Sequence, residues 1–117
     1  MIYTSYYGYW RKFPPELKLV SVSFHHPDKF PNLERYKLKK LFPPFQLVLD
    51  YKSGKITEEQ YTVVYLKHLD NAGINFELAK EKLQGCILLC YCAKGKFCHR
   101  HVLADYLRKH GIESQEL

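Results

Sequence analysis

Cys98-His99-Arg100 is the densest run of reactive side chains in this 117-residue sequence. It follows a lysine-bearing loop, Ala93-Lys94-Gly95-Lys96-Phe97, and before that loop stand Cys90 and Cys92. These residue types in this order suit three chemistries. A helix starting at Cys98 would aim unpaired backbone amides and a positive dipole end at an anion. Lys94, Lys96 and Arg100 add charge there, and Arg100 can grip a phosphate or carboxylate with two parallel bonds. The same surroundings favour the Cys98 thiolate, which makes Cys98 the candidate nucleophile and His99 the candidate acid/base. The third chemistry is metal binding by Cys90, Cys92, Cys98 and His99, whose donor types suit zinc. Against all three stands a plain alternative, in which Cys86 and Cys90 are core residues and Cys98 and His99 cap a helix.

Familiar loop patterns narrow the field. Six residues after Cys92 comes Cys98 rather than arginine, so the phosphatase loop is not matched. Gly95-Lys96 is followed by Phe97, and no upstream glycine completes a P-loop. The cysteines lack the two well-separated ligand pairs of common structural zinc sites. No dinucleotide fingerprint appears, so group transfer or hydrolysis is more natural than redox chemistry. The sequence therefore assigns no cofactor and no metal.

Composition sets the frame for this site. At 46% hydrophobic and 15% aromatic, the chain has enough apolar material to fold, which argues against a disordered tail. Its length predicts a single domain over residues 1–117. No apolar run approaches the roughly 18 residues that span a bilayer, so a cytoplasmic protein without a membrane partner is expected. The clustered cysteines fit that setting better than a disulfide framework does. A net charge of +6, from 18 Lys+Arg against 12 Asp+Glu, favours anionic partners such as a nucleotide or nucleic acid.

The elements that must position the site can be read from periodicity. Ile2 to Ser5 reads as a short strand running into an aromatic loop, Tyr6-Tyr7-Gly8-Tyr9-Trp10. Leu17 to Phe24 alternates apolar residues with period two, and His25-His26-Pro27-Asp28 ends it. A mostly helical stretch follows. Pro43-Pro44 opens a helix carrying Leu47, Val48 and Tyr51, which Ser53-Gly54 closes. Thr57 and Gln60 form a capping box before a helix whose apolar face is Tyr61, Val64, Tyr65 and Leu69. A shorter helix spans Phe76 to Leu83. Cys86-Ile87-Leu88-Leu89-Cys90-Tyr91 is an unbroken apolar run, as in a strand covered on both faces. The helix from His99 to His110 buries Val102, Leu103, Tyr106 and Leu107, Gly111 caps it, and the tail adds a short edge strand. Together these elements predict a small three-layer, Rossmann-like α/β domain with a mainly parallel sheet flanked by helices.

Leu88-Leu89-Cys90, a short loop, and Cys98-His99-Arg100 with Leu103 and Leu107 behind it carry a resemblance. The chain resembles the bacterial and phage domain-of-unknown-function family numbered 488. Ile2-Tyr3-Thr4-Ser5-Tyr6-Tyr7-Gly8 looks like the family's opening strand and glycine turn. Leu41-Phe42-Pro43-Pro44 with Tyr51-Lys52-Ser53-Gly54-Lys55-Ile56-Thr57 looks like its middle segment, and Tyr61 and Tyr65 match its Tyr-x-x-x-Tyr helix. Cys92 is a departure, since the family often has glutamate there. The resemblance implies a compact α/β fold and a pocket around Cys90, Cys98, His99 and Arg100, without supplying a reaction.

Residues elsewhere complete the expectation. Parallel sheets bind ligands outside the carboxyl ends of their strands, where Ser5, Tyr6 and Gly8 would join Cys90, Lys94, Lys96 and Arg100 as ligand-binding residues. Tyr6, Tyr7, Tyr9 and Trp10 either stack on a base or cover the sheet end. His25 and His26 read as solvated loop residues, and Arg35, Lys37, Lys39 and Lys40 as a solvated basic face. The sequence thus predicts a protein that binds a phosphate-bearing ligand, a nucleotide or nucleic-acid end, at a Cys-His-Arg pocket. If it is an enzyme, the reaction is group transfer or hydrolysis. The alternative is a non-enzymatic nucleic-acid-binding or inhibitory module, with or without a structural zinc.

Overall fold

A computed structural model of the chain describes residues 1–23, 38–91 and 97–117. Four strands form one sheet: β1 (Ile2–Tyr6), β2 (Lys18–Ser21), β3 (Cys86–Cys90) and β4 (Ser114–Glu116). Their order is β2-β3-β1-β4, and every pairing is parallel. The register sets Tyr6 opposite Cys90, Ser21 opposite Leu89, and Thr4 opposite Glu116. Because all strands run the same way, their last residues share one edge of the sheet. The α/β fold expected from the alternation of strands and helices is what forms.

β3 is inside the sheet and covered on both faces, which is why all five of its residues are buried. Alternation splits the strands between two cores. Ile2, Val20, Val22, Cys86 and Leu88 face a large cluster formed with the helices α1 (Phe45–Lys52), α2 (Glu58–Asn71) and α4 (His99–Lys109). The short helix α3 (Phe76–Lys82) adds Phe76 and Ala79 to the same cluster. Ile87 and Leu89 face the other way, packed with Tyr7, Tyr3, Phe13, Leu17, Leu19 and Leu117. Each fully buried leucine or isoleucine here contributes about 1.5–3 kcal/mol. The outer layers are therefore unequal. α-Helices cover one face, and a 3-10 helix (Tyr7–Lys12) with the turn after it covers the other.

Local signals explain where the helices start and stop. Pro44 precedes the first residue of α1, its fixed φ fitting a helix entry. Thr57 and Gln60 make the expected reciprocal cap, with bonds of 2.9 and 3.1 Å. Gly111, at φ +80°, lets the chain turn back after α4 so that the Ile112 amide reaches the Leu107 carbonyl at 2.9 Å.

Four expectations need correction. The aromatic segment expected as a loop winds into the 3-10 helix, and Tyr7 is buried by it. The second strand ends at Ser21, although the Val22 amide still bonds the Leu89 carbonyl at 3.0 Å. Tyr91 lies beyond β3 and is 50% exposed. Val64, expected on the apolar face of α2, is 46% exposed, whereas Tyr61, Tyr65 and Leu69 are buried. Adjacent helical residues are about 100° apart, and Tyr65 occupies the centre of that stripe, so Val64 turns outward. Phe24, His25, His26, Arg35, Lys37, Cys92, Lys94 and Lys96 lie outside the described residues. Lys39 and Lys40 are exposed, as expected of a solvated face. Among the described residues no helix is long and apolar enough to cross a membrane.

Candidate functional site

The carboxyl edge of the sheet collects the reactive side chains. Cys90 closes β3 on the helical face, since it lies an even number of residues from Cys86 and Leu88. Tyr6 is its neighbour on β1. Two strand positions away in the order, Glu116 ends β4 beside Thr4. The N-terminus of α4 lies over this edge and delivers Cys98, His99 and Arg100, all three buried.

His99 is held between two partners. Its Nε2 lies 2.7 Å from the Val22 carbonyl oxygen. A carbonyl only accepts, so Nε2 carries a proton, and in the neutral imidazole Nδ1 keeps the lone pair. Nδ1 faces the Cys98 sulfur at 3.7 Å. The Tyr65 ring packs edge-on to His99, 5.8 Å away, and the Tyr65 hydroxyl donates to the Leu41 carbonyl at 2.5 Å. Burial pushes the Tyr65 phenol well above its usual range, with Tyr61, Cys98 and Cys90 adding to the rise. Tyr65 therefore stays neutral and fixes the wall behind the imidazole. A thiol, an imidazole and a carbonyl so arranged can act as a nucleophile, a base and the group that orients the base.

Arg100 departs most from expectation. Expected to grip the anion of a ligand, it is 0% exposed. Its Nε lies 3.1–3.2 Å from both oxygens of Glu116 and its Nη2 lies 2.9 Å from Oε2. Nη1 donates to the Cys90 sulfur at 3.1 Å, and the guanidinium sits 5.5 Å over the Tyr6 ring. Arg100 does grip a carboxylate with two bonds, but the carboxylate belongs to this chain. Burial disfavours the Arg100 charge, and the Glu116 bonds together with Cys90 and Cys98 more than restore it, so its pKa rises. Thr4 anchors the other end by donating to Glu116 Oε1 at 2.6 Å. A permanent cation thus lies 3.1 Å from the buried Cys90 sulfur.

The structure brings together Cys90, Cys98, His99, Arg100 and Tyr6 from the expected set. Ser5 lies on the opposite face of β1, paired with Leu89, and its hydroxyl has no hydrogen-bond partner among the described residues. Gly8 lies just beyond Tyr6. A Cβ there would come within 3.0 Å of the Tyr6 ring, so glycine is what lets that ring pack where it does. Thr4, Tyr65, the Val22 carbonyl and Glu116 are site residues that the sequence did not disclose. Arg100 itself carried a signal: it lies three and seven residues before Leu103 and Leu107, on the buried stripe of α4. A buried arginine demands a carboxylate, and the tail offered Glu113 and Glu116.

Cys90, Cys98 and His99 form a buried group whose donor atoms all lie within 4.8 Å of one another. Such a group can hold a metal or can act through its thiols. Searches of the curated proteins and of the solved structures found no match. A family model does match, over residues 20–111, a span that contains Cys90, Cys98, His99 and Arg100 and leaves Thr4 and Glu116 outside. That model is DUF488-N3a, described as the active DUF488-N3 subclade, and the chain belongs to the DUF488 family.

Proposed function

We propose that the carboxyl-edge site binds a phosphate-bearing ligand, a nucleotide or a nucleic-acid end, and catalyses its hydrolysis or a group transfer from it. Cys98 and His99 form the reacting centre. His99 Nδ1 takes the Cys98 proton, and the Val22 carbonyl holds the ring in the tautomer that can do so. The single observation that carries this reading is the convergence of two cysteines, a histidine and an arginine in a buried cluster. A surface-binding module has no need to bury them. The description of the matched subclade as active supports the same reading.

Three features support a phosphate-bearing ligand. The site lies at the carboxyl edge of a parallel sheet, where such folds bind their ligands. The eleven-residue helix α4 begins there, so its positive dipole end lies at the site. The chain carries a net charge of +6. Arg100, already committed to Glu116 and Cys90, serves the site by fixing the Cys90 sulfur in place rather than by clamping the ligand. Tyr91, the residue after β3, is exposed and offers a face for a base, at about 1–3 kcal/mol per stacked base.

Calorimetric titration of the full chain with nucleoside monophosphates, the matching nucleosides and inorganic phosphate tests the reading. Nucleotides should bind at least tenfold more tightly than nucleosides. His99→Gln should abolish turnover of a bound nucleotide and leave the fold intact by circular dichroism. Equal affinity for nucleoside and nucleotide, or no binding of either, would overturn the phosphate-bearing ligand.

A further inference from the structure

The distances at the reacting centre also suit a metal. Zinc bonds of about 2.3 Å to sulfur and about 2.0–2.1 Å to nitrogen, at a tetrahedral angle, set those two donors about 3.6 Å apart. Cys98 sulfur and His99 Nδ1 are 3.7 Å apart. Two sulfurs on one zinc lie about 3.8 Å apart. The Cys90, Cys98 and His99 donors all fall within 4.8 Å of one another, so a shift of about 1 Å at most brings them to bonding positions.

Their surroundings also suit a metal. A ligating histidine ordinarily donates its second ring nitrogen to a carbonyl or carboxylate, which turns the other nitrogen toward the metal. His99 does so through Nε2 to Val22. Ligating thiolates are ordinarily stabilised by outer hydrogen bonds, and Arg100 gives one to Cys90 at 3.1 Å. Charge points the same way. With both thiols deprotonated, the cluster of Cys90, Cys98, Glu116 and Arg100 carries two net negative charges, and a dication cancels them.

We infer that Cys90, Cys98 and His99 hold a zinc ion at the carboxyl edge of the sheet. Two sulfurs and one imidazole select zinc over magnesium or calcium, which prefer oxygen. Loading releases the two thiol protons and forms two Zn–S bonds and one Zn–N bond, with no change in oxidation state. Three donors among the described residues leave the fourth tetrahedral position for a further donor, a water or a phosphate oxygen of the ligand. The inference rests on the same cluster as the functional reading and recasts its centre: with zinc bound, Cys98 and His99 Nδ1 are ligands, and Nδ1 takes the Cys98 proton only in the metal-free chain.

Elemental analysis of the purified full chain tests the inference first. About one zinc per chain is expected, with Cys86→Ser retaining it and Cys98→Ser and His99→Ala losing most of it. Because a site variant can lose metal by misfolding, the second measurement uses the wild type. Chelated protein, shown to be folded by circular dichroism, is titrated with Co(II). Tetrahedral cobalt bands and a thiolate charge-transfer band should grow to about one equivalent and vanish on adding zinc. Folded, chelated wild type that takes up neither ion would overturn the inference, as would equal metal loss in Cys86→Ser. Titration of metal-loaded and chelated protein with nucleotides separates the two proposals. Metal uptake without nucleotide binding overturns the functional reading alone, and nucleotide binding by a protein that takes up no metal overturns the zinc site alone.

Discussion

Both ends of β3 carry a cysteine on the same face, both are buried, and they face different fates. Cys86 opens the strand at the amino edge, near the Lys82 carbonyl at 3.9 Å, and burial raises its pKa despite Lys18 nearby. Cys90 closes the strand and receives a guanidinium hydrogen bond, with Cys98 and His99 beside it. Residue type, burial and strand are shared. What differs is the edge, and in a parallel sheet only the carboxyl edge meets the start of the helix that follows. A cysteine's reactivity here depends on which neighbours the fold supplies.

The largest effect comes from removing the cation that distinguishes the two ends. Arg100→Ala strips Glu116 of its charged partner, leaving it the Thr4 hydroxyl, and removes the guanidinium donor from Cys90. It should cost about 3 kcal/mol or more in urea denaturation, since breaking one side of a buried pair leaves the other uncompensated. Glu116→Gln keeps a hydrogen-bonding group on Arg100 but removes the balancing charge, on a residue that is partly exposed. A loss of about 1–3 kcal/mol is expected. Were both variants as stable as wild type, Arg100 would not be an integral part of the site.

A kinetic measurement compares the thiols directly. In chelated protein at neutral pH, iodoacetamide should modify Cys98 several-fold faster than Cys86, because a histidine nitrogen stands 3.7 Å from the Cys98 sulfur to accept its proton, while burial keeps Cys86 protonated. Nucleotide should slow modification of Cys98 and not of Cys86. Equal rates at the two residues, read by peptide mass spectrometry, would erase the distinction.

The smallest effect lies at the amino edge. Cys86→Ala should cost about 1 kcal/mol and leave metal content and nucleotide affinity unchanged. Its pH signature follows from the raised pKa. The folded protein prefers the Cys86 thiol, so that contribution is full below the ordinary pKa of 9.0 and fades as pH climbs through the higher folded value. Wild type should therefore lose stability faster than Cys86→Ala as pH rises above about 9. Burial and a hydrogen bond to Asp70 raise the Tyr106 phenol to about 12, so its own loss begins only above pH 10. The interval between pH 9 and 10 isolates the thiol. Parallel stability profiles there would show that Cys86 is indifferent to its burial.

Much of the fold was legible because its signals are local. The apolar run from Cys86, the Thr57–Gln60 cap and the turn at Gly111 each depend on a few adjacent residues; the cap and the turn form where expected, and the strand ends one residue early, at Cys90. Failures occurred where local pattern meets packing. Val64 satisfied a helical spacing but sits off the stripe centred on Tyr65, and the aromatic segment after β1 had no periodicity to betray its 3-10 helix. Within the site, Cys90, Cys98 and His99 were legible from type and spacing. The burial of Arg100 and its pairing with Glu116 were not read, because its place at a helix start outweighed its place on the buried stripe.

By itself, the sequence determined the α/β class, the family and the set of side chains capable of chemistry, since composition, periodicity and a contiguous motif all lie along the chain. Only the tertiary structure decided how those side chains are used. Glu116 lies sixteen residues beyond Arg100, and Val22 lies 77 residues before His99. Those pairings arise from the strand order β2-β3-β1-β4, which sets β4 beside β1 and brings the ends of all four strands to one edge. No local rule encodes that order. Strand order is chosen by burying both faces of β3 at once, a condition on the whole chain, and it turns an arginine suited to an outside anion into the partner of an inside one.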